Sequence, residues 1–213
     1  MTPADLSRLV AIVPVRSLEG AKSRLGEPLD PEERGDLVLA LLRRTVQAAK
    51  AASNVAGVVV VSMDPGVVAA AGAMGARGLL QRRGGLNEGL GEARDALDAG
   101  AILVLPADLP GVSAPEIDRL AGVAAELAAD EPGRAVVVLV PDHHGTGTNA
   151  LLLAPPGAIE FEFGEDSRFA HAAAARAAGA EYAEVSGALA FDVDTPEDLL
   201  AADLTGLGHE VGR

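Results

Sequence analysis

The chain has no cysteine and no tryptophan, and its 213 residues include only four phenylalanines and one tyrosine. Without cysteine there is no disulfide framework, no thiol nucleophile and no thiolate metal site. So few rings leave no platform on which single-stranded bases could stack, and the core must be filled by close-packed Ala, Val and Leu. Positive charge is scarce as well: 17 Lys and Arg stand against 31 Asp and Glu, a formal net charge of −14. A broad polyanion-binding face is excluded, and nucleic acid with it. Long apolar runs are missing too. None approaches the ~18 residues of a membrane span, and Leu9 to Val15, which contains Pro14, is too short and wrongly flanked for a secretory leader. The expectation is a cytoplasmic protein with no membrane partner.

What is present is a regular alternation of apolar strands and helices. Short apolar runs at Leu9–Val15, Val55–Val61, Ala101–Leu105, Ala135–Val140 and Ala150–Leu153 read as buried strands, with shorter ones at Arg77–Leu80, Tyr182–Val185 and Leu189–Phe191. Between them lie helices at Asp30–Ala52, Pro65–Met74, Leu86–Asp98, Ala114–Ala129, Ser167–Ala178 and Pro196–Asp203. Asp30 before Pro31 and Thr195 before Pro196 are helix starts by residue type. Strands apolar on both faces, alternating with helices, predict an α/β fold: one domain, its core at about 9–203, with a mostly parallel sheet flanked by helices. Ligands of such folds sit beyond the carboxyl ends of the strands. The loops after Val15, Leu105 and Val140 should therefore line one site.

Acids gather at those strand ends. In extended backbone Asp192 and Asp194 of Asp192-Val193-Asp194-Thr195 project to the same side, and Asp108 follows the strand ending at Leu105. Neighbouring carboxylates repel unless a cation lies between them, and oxygen ligands suit a hard ion such as magnesium. Taken singly, Asp108 reads as a turn residue before proline, and Asp192 and Asp194 as an Asx turn and a cap; it is the three together at strand ends that favour a metal. His143 and His144 are adjacent, so they should point apart as solvated loop residues rather than bind metal. The loop after the first strand concentrates Arg16, Lys22 and Arg24, cations that could offset a triphosphate. An ordinary exposed basic loop explains them equally well. Gly20-Ala21-Lys22-Ser23 lacks the glycines of a P-loop. Gly145-Thr146-Gly147-Thr148-Asn149-Ala150 satisfies the dinucleotide fingerprint formally, but no crossover helix follows it. It survives as a stretch whose backbone N–H groups could cradle an anion. Phe163-Gly164-Glu165-Asp166-Ser167 is a second such stretch, in which Asp166 or Ser167 caps a helix whose positive end suits phosphate. No GxSxG or other nucleophile signature is present.

Together these residues resemble a known family. Ile12-Val13-Pro14-Val15 with Ala21-Lys22-Ser23-Arg24-Leu25, then Ala107-Asp108-Leu109-Pro110, His144-Gly145-Thr146-Gly147-Thr148-Asn149, Phe163-Gly164-Glu165-Asp166-Ser167 and Asp192-Val193-Asp194-Thr195-Pro196 resemble, in order, the motifs of the guanylyltransferases of deazaflavin coenzyme F-420 biosynthesis. The resemblance implies a single-domain nucleotidyltransferase (nucleotide-diphospho-sugar transferase-like) fold. It implies transfer of GMP from GTP to phosphoenolpyruvate with release of diphosphate; the alternative acceptors are 2-phospho-L-lactate, 3-phosphoglycerate or a sugar phosphate. Carried over by motif, Thr148, Gly164 and Ser167 would bind the acceptor, and Asp108, Asp192 and Asp194 would hold magnesium. Lys22 would join these acids in catalysis. Pro14, Val15, Lys22, Arg24 and Asn87 would meet the nucleotide. An NAD-binding oxidoreductase, suggested by Gly145 and Gly147, and a non-catalytic nucleotide-binding domain are the contrasting classes. Guanine selectivity is inferred from the resemblance rather than read from residues, and a homodimer stays open.

Overall fold

The computed structural model describes residues 5–16 and 30–193, and within them one seven-stranded sheet organises the chain. Its strands are β1 (Leu9–Pro14), β2 (Val55–Ser62), β3 (Arg77–Leu80), β4 (Ala101–Val104), β5 (Val136–Pro141), β6 (Thr148–Ala154) and β7 (Glu181–Glu184). They lie in the order β3-β2-β1-β4-β6-β5-β7. All run parallel except β6, which is antiparallel to both β4 and β5. Every residue of β6 is buried. A continuous apolar run reports burial on both faces but not strand direction, so the mostly parallel sheet was legible and the reversal of β6 was not.

Alternate residues along the strands feed two separate cores, as the period of two requires. Ala11, Val13, Val60, Leu103, Val138 and Leu152 pack beneath α1 (Pro31–Ala51), α2 (Pro65–Ala73) and α4 (Ala114–Asp130). Ile12, Val61, Ile102, Val104, Leu139 and Leu151 pack on the other face against α3 (Leu86–Asp95) and α5 (Ser167–Ala177). The start of α1 follows from its first residues: Asp30 accepts from the Glu32 and Glu33 N–H groups at 2.9 Å, and Glu33 accepts from the Asp30 N–H at 2.8 Å. That reciprocal pair closes a capping box.

One expected element is corrected. Leu189–Phe191 is not a strand; Ala188–Ala190 forms a single 3-10 turn. The Leu189 carbonyl takes a side-chain amide of Asn149 instead of a neighbouring strand, and the Ala190 N–H closes back on Gly187 at 3.0 Å. Asp192 therefore follows a turn, not an apolar strand. Asp194 and the expected helix 196–203 lie outside the described residues, as do Lys22 and Arg24.

Candidate active site

A parallel sheet brings the carboxyl ends of its strands to one edge. Here the ends of β1, β4 and β5 meet the beginning of β6, whose reversal places Thr148 opposite Pro141. Pro14 closes β1 in register with Val61, and the buried Val15 continues it by donating to the Val61 carbonyl at 3.0 Å. Beyond β4 the chain turns through Pro106–Pro110, carrying Asp108.

Two contacts bring the Asp108 turn to the segment bearing Asp192. The Val193 N–H donates to the Asp108 carbonyl at 3.1 Å. Gly111 lies so close to the Ala188 carbonyl that a side chain there would clash with backbone. Asp192 is then fixed from the sheet: the buried Asn149 gives one Nδ2 hydrogen bond to the Leu189 carbonyl and another to Asp192 Oδ1, both 3.1 Å. His143 Nδ1 lies 3.4 Å from the same oxygen. The His143 and His144 rings do not point apart as an extended backbone would require. They lie 3.8 Å apart, tilted, because the segment is a turn: the Gly145 N–H closes onto the Asp142 carbonyl at 3.0 Å. Both histidines are exposed loop residues, as expected.

Among the described residues no three acidic or histidine side chains are grouped as a metal site. The described pair nevertheless fits a hard cation in donor chemistry, with two carboxylates on adjoining segments and one of them oriented by an amide. The third expected acid, Asp194, is outside the described residues.

The other half of the site is built around a histidine that no motif flagged. His171, fully buried on α5, has its Nδ1 3.0 Å from Thr148 Oγ1 and its Nε2 3.0 Å from the Glu162 backbone nitrogen. A backbone N–H can only donate, so Nε2 must accept and the ring proton must be on Nδ1. His171 then donates to the Thr148 oxygen. Burial holds its pKa down at about 4, which keeps the ring neutral near pH 7. This arrangement decides a chemical question. A hydroxyl beside an imidazole looks like a nucleophile and its base, but Nδ1 already carries a proton and is unable to take another from Thr148.

Phe163, edge-on to the His171 ring at 5.0 Å between centroids, precedes Gly164. Asn87 grips the Phe163 backbone with both ends of its carboxamide, donating to the carbonyl at 3.0 Å and accepting from the N–H at 2.9 Å. The expected nucleoside contact of Asn87 would thus come from a side chain already anchored there. Gly164 has φ of +143°, which a side chain rarely adopts, and the space above its Cα is open. Ser167, buried, is the first residue of α5 and stands one turn before His171 on the same face.

Of the two expected cap residues, Asp166 caps by position, in the left-handed conformation, but not by a side-chain bond, and Ser167 lies inside the helix. The first N–H groups of α5 are taken by carbonyls: Ser167 by Gly164, Arg168 by Thr146 and Phe169 by Asp166, at 3.3, 3.0 and 3.0 Å. An anion here would rely on hydroxyls more than on helix N–H groups. Arg168 joins Gly145 to β7, donating to the Gly145 carbonyl at 2.8 Å and pairing with Glu184 at 2.7 Å. That pairing holds the Glu184 carboxyl below its usual pKa.

One edge of the sheet thus carries hydroxyl donors around Thr148 and Ser167 and carboxylates at Asp108 and Asp192. No covalent nucleophile with a competent base is among the described residues of the site. The set suits holding anionic groups near a cation.

Comparison with known proteins gives a family and a fold. The family described as "Guanylyl transferase CofC like" matches residues 9–211. A protein of Sphaerobacter thermophilus named phosphoenolpyruvate guanylyltransferase is 48% identical over 195 residues, covering 89% of this chain and 90% of its own length. Another of that name from Rubrobacter xylanophilus is 45% identical over 200 residues, covering 92% and 94%. Among solved structures, a nucleotidyl transferase from Methanothermobacter thermautotroptrophicus superposes with a TM-score of 0.62 at 16% identity, over 91% of this chain and 95% of that one. At that identity the likeness shows the fold alone.

Proposed function

Because this chain belongs to the guanylyl transferase CofC-like family, we propose that it transfers GMP from GTP to phosphoenolpyruvate, releasing diphosphate and forming enolpyruvoyl-2-diphospho-5'-guanosine. The observation that carries the acceptor assignment is 48% and 45% identity, along most of the chain, to proteins named for that reaction. The site is consistent with it. The acceptor's phosphate and carboxylate would lie against Thr148, Gly164 and Ser167, with the nucleotide at Pro14, Val15, Lys22, Arg24 and Asn87.

The chemistry asks little of a base. A phosphate oxygen of the acceptor attacks the α-phosphorus of GTP, a new P–O bond forms, and the bond to the bridging oxygen of the β-phosphate breaks. The nucleophile is already an anion near neutral pH, so no proton has to be removed. The work of the protein is to place two anions in line and offset their repulsion. Asp108, Asp192 and Asp194 would hold magnesium, whose charge offsets that of the phosphates. Lys22 and Arg24 would add positive charge from the loop after β1.

Diphosphate release tests the acceptor. The protein is incubated with GTP, magnesium and one acid at a time: phosphoenolpyruvate, 2-phospho-L-lactate or 3-phosphoglycerate. Stoichiometric diphosphate with phosphoenolpyruvate, abolished by EDTA, is the expected result. Faster release with 2-phospho-L-lactate would move the protein to the other acceptor, and no release with any acid would reject transfer to this class.

A further inference from the structure

We propose that His171 is the positioning residue of the acceptor site: its Nδ1–H fixes the Thr148 oxygen as a hydrogen-bond acceptor, so that the Thr148 hydroxyl hydrogen is presented to the bound phosphoacid. The inference deepens the functional reading above and rests on its assignment of Thr148, Gly164 and Ser167.

The geometry converges from three directions. Thr148 opens β6, Glu162 belongs to the segment leading into Gly164, and Ser167 starts the helix that carries His171. One imidazole touches two of these stretches directly, with both ring nitrogens at 3.0 Å, and stands a single helical turn from the third. Phe163 packs edge-on against the same ring, and Asn87 holds the Phe163 backbone at 2.9 and 3.0 Å. The Glu162 N–H leaves the imidazole only one neutral tautomer. In that tautomer the Thr148 oxygen receives a hydrogen from Nδ1, and the hydroxyl's own hydrogen is left for an acceptor other than His171. A threonine free to rotate could offer a lone pair to an approaching anion. Here His171 occupies one of the two lone pairs, which leaves the hydroxyl hydrogen free to turn toward the anion. Burial, which keeps the ring neutral across ordinary pH, stops the tautomer from being lost by protonation.

Two measurements test this, one of them independent of turnover. The first is nitrogen NMR of ¹⁵N-histidine-labelled protein, with the His171 signal identified by its loss in His171→Asn. A protonated Nδ1 and a pyridine-type Nε2, unchanged from pH 6 to 9, are expected. A proton on Nε2, or titration near pH 6.5, would overturn the proposal.

The second is a kinetic cycle over wild type, His171→Leu, Thr148→Val and the double variant, with melting temperature recorded for each. His171→Leu should raise KM for phosphoenolpyruvate about tenfold or more while KM for GTP moves less than twofold, and it should add little once Thr148 is Val. In His171→Asn the side-chain nitrogen stands as many bonds from Cα as Nδ1, so that variant should recover much of the loss. Equal rises in both KM values that track lost stability, or effects that multiply in the double variant, would contradict the proposal. Wild type that shows the expected tautomer but neither binds nor converts phosphoenolpyruvate would reject the acceptor assignment while upholding the His171–Thr148 hydrogen bond.

Discussion

His171 is buried, with Thr148 and a backbone N–H at its ring nitrogens and no counter-charge among the described residues. Its pKa falls from 6.5 to about 4 on folding because of that burial. Between those values the unfolded chain binds a proton that the folded chain does not. Its contribution is therefore full above pH 6.5 and is lost as the pH falls to about 4, by roughly 3 kcal/mol at most. Urea unfolding of wild type and His171→Leu at pH 7 and pH 4.5 checks this: carboxylates titrate in both proteins, so the gap between the two should narrow at the lower pH. An unchanged gap would mean the ring is not buried neutral. Asp192 makes a different prediction at the same scale. The Asn149 amide holds one of its oxygens at 3.1 Å, so Asp192→Asn should keep the fold while removing a charge from the transfer site. Turnover should drop on the order of a hundredfold, about 2.7 kcal/mol of barrier, with little change in melting temperature; near-normal kcat would remove Asp192 from the site.

At the scale of elements, what matters is how the turn after β4 is joined to the turn at 188–190. Gly111 allows it, because a Cβ there would strike the Ala188 carbonyl and Cβ. Gly111→Ala is expected to cost on the order of 1–3 kcal/mol through overpacking. It should also separate Asp108 from Asp192, raising the magnesium concentration needed for half-maximal rate. Stability loss without that shift would show that the two turns are joined for folding alone. Most elements were readable from the chain because their signals are local: all-apolar runs for β1, β2, β4 and β5, and Asp30 with Pro31 for the start of α1. The 3-10 turn at 188–190 was not. Its apolar triplet resembles a strand, and only the Asn149 amide, 40 residues away, shows where its carbonyl goes.

For the whole molecule, the same contrast between local and distant signals explains which parts of the site were legible. The strand-edge loops could be inferred from the alternation of elements, and motif order offers Thr148, Gly164 and Ser167 as candidates. The contacts that hold them join residues far apart in the chain: Asn87 to Phe163 across 76 positions, and Thr148 to His171 across 23. The spacing of Ser167 and His171, one turn apart on a helix face, was the only local hint. Net charge acts at this scale too. A chain carrying −14 repels itself, and salt screens that repulsion over ~10 Å at 0.1 M. Raising sodium chloride from 10 to 150 mM should increase the melting temperature. A fall would mean that local ion pairs such as Arg168–Glu184 outweigh the overall charge.

The central claim is direct transfer of a nucleotidyl group to an acceptor phosphate, and phosphorus NMR of the reaction tests it most directly. With GTP, phosphoenolpyruvate and magnesium, the account predicts that the acceptor's phosphorus signal is replaced by a doublet coupled to the α-phosphorus of the guanylyl group, as one equivalent of free diphosphate appears. Formation of GDP and inorganic phosphate, with the phosphoenolpyruvate signal intact, would contradict it.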